Sequence, residues 1–222
     1  MTQLDLDVSA YRPALGVDDF LVAACNAAAF GWIERWPDWP TPRLVLHGPP
    51  GSGKSHLAGI WRNRTGGLRL AAAEFLDRSP VELAAQAAIA IDDADRVPER
   101  FLLHLYNCCA EAGTGLLLTA ARSPAEWNVE LPDLASRLRA APRVGIAAPD
   151  DELLAAVLVK QLGDRQLRVR PDVVRFLVPR MERSFAAAAV LAEWIGRHAP
   201  VAGRRIDTAL AKRALAAFAP QV

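Results

Sequence analysis

The chain has 222 residues, 52% of them apolar, and a formal net charge of +1, which supplies a packed core and excludes a protein that coats duplex DNA by charge alone. Its longest apolar runs, such as residues 84–91 interrupted by Gln86, fall well short of the roughly 20 residues a bilayer span needs, and Asp5 and Asp7 stand where a secretory leader would be basic and then apolar. Cys25, Cys108 and Cys109 have neither disulfide nor metal-ligand spacing, so a reducing compartment, the cytoplasm, is expected, with no membrane partner.

In chain order, residues 1–10 read as a flexible tail. Trp36 and Trp39 lie among Pro37, Pro40 and Pro42 and form a stiff connection. With Trp32 they are expected to pack rather than to stack bases, because only Arg35 and Arg43 interleave basic charge. An apolar strand over 44–47 runs directly into Gly48-Pro49-Pro50-Gly51-Ser52-Gly53-Lys54-Ser55, which satisfies G-x-x-x-x-G-K-[ST], the Walker A pattern. The chemistry needs these residue types. Glycines let the chain curl until backbone N–H groups converge on phosphate oxygens, and the next helix adds its positive end. Lys54 would reach the β- and γ-phosphates and Ser55 a Mg²⁺ ion. Beyond the loop, Leu57, Ile60 and Trp61 fall on one helical face.

Further strands are expected over 68–71, 88–92, 116–120 and 143–146, alternating with helices, as in a parallel five-stranded sheet covered on both faces. The apolar run over 87–91 ends in Asp92-Asp93, the Walker B pattern at the carboxyl edge where ligands of parallel sheets bind. Asp92 would hold Mg²⁺ through its water shell and Asp93 would orient an attacking water. Pro98 opens a helix carrying Phe101, Leu102, Leu105 and Cys109 on one face. From Asp150 only helical periodicity remains, near 151–162, 171–178, 184–198 and 206–218. Asp150, Pro171, Ser184 and Asp207 supply starts, and Gly163 and Pro200 mark ends. The expected class is therefore α/β: a tail over 1–10, a P-loop base over 11–149 and a small all-helical lid over 150–222. Charge divides similarly, since residues 1–159 hold 14 basic and 20 acidic side chains and residues 160–222 hold 12 and 5. His47, His56, His104 and His198 have no metal spacing, and the cysteines read as small core residues.

Several strings together resemble the DnaA-like branch of the AAA+ ATPases. Asp19-Phe20-Leu21-Val22 followed by Asn26 is similar to the family's nucleotide-base segment, which implies base contacts from Leu21 and Val22. The nucleotide set then comprises Gly48 through Ser55, with His56 next to it. Ile91-Asp92-Asp93-Ala94-Asp95 is similar to its Walker B and Leu103-His104-Leu105-Tyr106-Asn107 to the helix that follows. Leu118-Thr119-Ala120-Ala121-Arg122-Ser123-Pro124 resembles its sensor I strand. Leu134-Ala135-Ser136-Arg137-Leu138 resembles the box with its arginine finger, which implies Arg137 as a catalytic group supplied to a neighbour. Met181-Glu182-Arg183 resembles sensor II, which implies phosphate sensing by Arg183.

Neither the family's DNA-binding helix-turn-helix nor its helicase-interaction domain has a counterpart in this sequence, a layout similar to the Hda-like members that drive regulatory inactivation of DnaA. Gln3-Leu4-Asp5-Leu6 resembles their sliding-clamp peptide, with Gln3 for hydrogen bonding and Leu4 and Leu6 for an apolar pocket. Asp7 and Val8 replace the usual Pro and Leu or Phe, which lowers the expected affinity. The resemblance implies ADP or ATP with Mg²⁺, DnaA and the DNA polymerase sliding clamp as partners, and DNA reached through the clamp; a homodimer stays open. Ala121 stands where the family has an acidic sensor I residue, so intrinsic hydrolysis is expected to be slow, with Thr119 as a partial substitute. Two other readings stay open: an autonomous AAA+ ATPase or helicase loader, favoured by Asp92-Asp93, and a DnaA-binding scaffold with no need of Arg137.

Overall fold

The computed structural model describes residues 20–75, 78–199 and 205–218; Gln3, Leu4 and Leu6 lie outside them. These residues divide into two compact units, one over Ala24–Ala147 and one that joins 20–23 to the residues from Ala148 onward. In the first, α1 (Ala27–Glu34) leads into β1 (Arg43–His47), α2 (Lys54–Thr65), β2 (Leu68–Ala71), α3 (Pro80–Ala84), β3 (Ala88–Asp92), α4 (Glu99–Ala112), β4 (Gly115–Ala120), α5 (Pro132–Ala140) and β5 (Arg143–Gly145). The strands pair in the order β2-β3-β4-β1-β5, every pair parallel. The expected strands agree with these to within one residue at each end.

Burial explains why β3 and β4 are apolar apart from Asp92 and Thr119: every residue of both is buried, as in strands covered on two faces. Ile89 and Ile91 of β3, with Leu116 and Leu118 of β4, pack against Leu102, Leu105 and Cys109 of α4 and Leu134 and Leu138 of α5. Each such Ile or Leu contributes roughly 1.5–3 kcal/mol of apolar transfer. The alternate positions Ala88 and Ala90 are small, and α2 packs on this strand; Asp92 shares their parity. Burial pushes the Cys109 thiol up to about 12, with Arg43 opposing and Cys108 reinforcing the shift, so this cysteine is a core residue and not a nucleophile.

The tryptophans form a second packed cluster. Trp39 stacks on Trp61 of α2 with centroids 5.5 Å apart, Trp36 meets both edge-on, and Trp39 Nε1 donates to the Trp32 carbonyl at 2.7 Å. They are packing residues, as the sequence suggests.

In the second unit, α6 (Asp151–Asp164), α7 (Pro171–Leu177), α8 (Phe185–His198) and α9 (Thr208–Ala217) close around Leu158, Leu162, Val173, Leu177, Leu191, Ile195 and Leu210. Asp150, Ser184 and Asp207, expected as helix starts, are N-caps whose side chains accept from Leu153 N at 2.8 Å, Ala187 N at 3.0 Å and Leu210 N at 2.8 Å. The lid sequence also forms β6 (Arg168–Val169) and β7 (Arg205–Ile206), a parallel pair. Two-residue strands carry too few alternating positions to show in a periodicity, and the expectation of helix from residue 206 shifts to Thr208.

Candidate nucleotide-binding site

The strand order brings β1, β4 and β3 side by side, so the turns after them share one carboxyl edge, the usual ligand position in a parallel sheet. After β1 the chain is drawn tight. Gly48 N donates to the Ala120 carbonyl at 3.2 Å, and a Cβ on Gly48 would lie 2.8 Å from the Ile146 oxygen, which is why a glycine opens the loop. Gly53, with φ of 89°, takes a left-handed turn that an L side chain resists, and α2 begins at the next residue. The free N–H groups of that helix therefore face the loop.

Within the loop, Lys54 Nζ donates to the carbonyls of Gly48 at 2.8 Å and Pro49 at 2.9 Å. Its side chain is buried, and burial pushes its pKa below the usual lysine value while Asp93, Asp92 and Asp95 pull it back. Ser52 is buried with an Oγ that has no hydrogen-bond partner, an unspent donor in the cradle. Pro49 is half-buried; Pro50, Gly51, Ser55 and His56 are exposed. A cationic ammonium, an unpaired hydroxyl and a helix N-terminus converging on one loop fit a phosphate chain.

Both Walker B acids sit at this edge, in different states. Asp93 is exposed and adopts φ 51°, ψ 47°, the left-handed region, opening a 3₁₀ turn over Ala94–Arg96. Asp92 is nearly buried and fully engaged: Oδ2 accepts from Arg69 Nε at 2.7 Å and lies 2.5 Å from a second Arg69 nitrogen, and Oδ1 accepts from Thr119 Oγ1 at 2.9 Å. Of the expected metal set, Ser55 is exposed at the start of α2, and Asp92, expected to act through a water shell, already holds Arg69 and Thr119. Among the described residues no cluster of three or more His, Cys, Asp or Glu could hold a metal. Arg69 is the residue that sequence reasoning missed, because its meaning depends on β2 lying beside β3. Its signal is a lone cation alternating with Leu68 and Leu70 in an apolar strand.

Thr119, buried on β4, spends its hydroxyl on Asp92, and Ala121 is exposed beyond the strand. His47, the last residue of β1, has its pKa lowered by burial; Glu126 opposes this, while Arg143 and Lys54 reinforce it.

The remaining expected residues lie elsewhere. Arg137 is on α5, which packs on α4. Its guanidinium sits 5.8 Å from the Tyr106 ring centroid and its Nε is buried without a hydrogen-bond partner. Leu21, Val22 and Arg183 belong to the second unit. Leu21 is half-buried and Val22 exposed, and Arg183, also exposed, pairs with Asp151 Oδ2 at 3.0 Å.

No protein-family model matches the sequence. Solved structures do match the fold. Domain III of the Thermotoga maritima replication initiation protein DnaA superposes with a TM-score of 0.78 at 16% identity, over 95% of this chain and 99% of that one. AMPPCP-bound DnaA from Aquifex aeolicus gives 0.68 at 16% identity over 83% of this chain, which spans 65% of the DnaA chain. The Thermotoga maritima RuvB Holliday junction branch migration motor gives 0.64 at 16% identity over 87% of this chain and 66% of that one. The chain thus has the AAA+ fold, an α/β base with a five-stranded parallel sheet accompanied by helices, as DnaA and RuvB have.

Proposed function

We propose that the chain is a nucleotide-dependent regulator of replication initiation of the DnaA-like AAA+ type, binding ADP or ATP at the loop 48–55 and acting on ATP held by DnaA. The observation that carries nucleotide binding is the loop itself: Lys54 is buried over two loop carbonyls beside the unpaired Ser52 hydroxyl, in front of the N-terminus of α2. That AMPPCP is bound by a DnaA of the same fold supports an adenine nucleotide.

In this reading each residue has a distinct task. Gly48 to Ser55 bind the phosphates, Lys54 neutralises them and His56 flanks them; Leu21 and Val22 meet the base, and Arg183 senses the phosphates from the lid. Mg²⁺ supplies charge neutralisation on the phosphates, and Ser55 is the protein oxygen that would meet it. Intrinsic hydrolysis is weak, since the Ala121 side chain has no polar atom to hold a water and Thr119 donates to Asp92. Arg137 is given in trans: a guanidinium reaching a neighbour's γ-phosphoryl is worth about 10³–10⁵ in rate. The peptide Gln3-Leu4-Asp5-Leu6 docks on the sliding clamp, so that DNA is reached through the clamp in the cytoplasm.

A second reading, an autonomous ATPase or loader, is favoured by one observation: the Asp93 carboxylate is exposed at the carboxyl edge, where it can order a water. ATP turnover by the isolated protein separates the two. The regulator binds ADP tightly and hydrolyses ATP slowly. Turnover of many ATP per minute that is lost in Asp93→Asn would instead establish the autonomous enzyme.

A further inference from the structure

We infer that Arg69 is a built-in cation for the Walker B carboxylate, so that this chain binds adenine nucleotide with an affinity that changes little when Mg²⁺ is removed; this rests on the nucleotide-binding reading of the loop 48–55.

The arrangement follows from sheet register. β2 lies against β3 with Ala71 opposite Asp92 and Arg69 opposite Ala90. Arg69 and Ala71 alternate with the buried Leu70 and share a face with Asp92. The Arg69 side chain runs two positions along the strand, past the small Ala71, to the end of β3. There it places Nε 2.7 Å from Asp92 Oδ2, with a second nitrogen at 2.5 Å. Thr119 fixes the other oxygen. The Arg69 side chain is 39% exposed and that of Asp92 9%. The buried partner of the pair is thus the acid, which pays most for losing a countercharge.

Among the described residues, the other charged groups beside the pair have partners of their own. Glu74 lines the same hollow of about 360 Å³ beside α2, with Gly59, Arg62 and Asn63. Its carboxylate, however, is held by the Ala71 N–H at 2.6 Å. Of the other nearby cations, Lys54 is spent on the Gly48 and Pro49 carbonyls and Arg62 donates to Asn63 Oδ1 at 3.2 Å.

Electrostatics gives the consequence. A buried aspartate at the end of β3 repels a phosphate chain in the adjoining loop unless a cation lies with it, which a divalent ion ordinarily supplies. Here a guanidinium, charged at every working pH, already neutralises that carboxylate through one hydrogen bond from Nε and a second nitrogen 2.5 Å from the same oxygen. Removing Mg²⁺ then uncovers no naked charge at Asp92, and a divalent ion that uses Asp92 as an outer ligand must share the carboxylate with Arg69 and Thr119.

The test is equilibrium binding of ADP to the full chain, in MgCl₂ and in EDTA, for wild type, Arg69→Met and Arg69→Lys. Met keeps the stem and removes the charge; Lys keeps a charge without the fork. Wild type is expected to bind within about threefold in the two buffers. Arg69→Met should weaken about tenfold or more in EDTA and recover in MgCl₂, with Arg69→Lys between them. A wild-type loss of about tenfold in EDTA, equal to that of Arg69→Met, would overturn the inference, and the wild-type comparison alone decides should Arg69→Met not fold. No ADP binding by wild type in either buffer would remove the nucleotide reading itself, and this inference with it, whereas Mg²⁺-dependent binding removes this inference alone.

Discussion

Lys54 is the residue on which the proposed phosphate binding turns, and its state is set by opposing influences: burial disfavours its charge, while Asp93, Asp92 and Asp95 favour it. Lys54→Ala removes charge-assisted hydrogen bonds to phosphate and should weaken ADP binding by about 10- to 100-fold in a calorimetric titration. Asp93 tolerates its left-handed turn because a short polar side chain can sit there. Asp93→Asn should keep stability within about 0.5 kcal/mol and retain ADP binding, as read from denaturant unfolding and titration. His47 gives the pH dependence. Its folded pKa lies below the ordinary 6.5, so the unfolded chain takes up the proton first as pH falls. The stability it contributes is complete above about pH 6.5 and is lost as pH falls through the lowered value. Urea unfolding at pH 7.5 and 5.5 should show that loss, and His47→Gln should reduce it.

Among the elements, those with strong local signals were legible. The five strands emerge from apolar runs bounded by turn residues. The starts of α6, α8 and α9 emerge from Asp150, Ser184 and Asp207, because an N-cap acts within one turn and needs no tertiary partner. Each cap removed, for example Asp207→Ala, should cost about 1 kcal/mol in unfolding free energy. Leu158→Ala, in the fully buried face of α6, should cost about 2–5 kcal/mol by the same measurement. What sequence did not disclose depends on which strands are neighbours. The pairing of Arg69 with Asp92 joins residues 23 positions apart, and the β6–β7 pair joins Arg168 to Arg205; neither leaves a periodic trace. The P-loop was legible for the opposite reason, since its loop, lysine and helix start are contiguous in the chain.

At the scale of the molecule, the two compact units carry different proposed tasks: the α/β unit holds nucleotide and offers Arg137, and the helical unit holds Arg183. RuvB shares the fold at 16% identity, so the fold alone does not choose between a motor and a regulator. The choice rests on residues. Ala121 and the Asp92–Arg69 pair weaken the case for hydrolysis at this chain's own loop, and Arg137 supports action on a neighbour. The most direct measurement is the rate of ATP hydrolysis by DnaA with this protein, DNA-loaded clamp and ADP, comparing the intact chain with Arg137→Ala and Gln3→Ala. The account predicts acceleration by the intact chain that falls about 10³-fold or more in Arg137→Ala and is also lost in Gln3→Ala. No acceleration by the intact chain, or acceleration that Arg137→Ala retains in full, would contradict it.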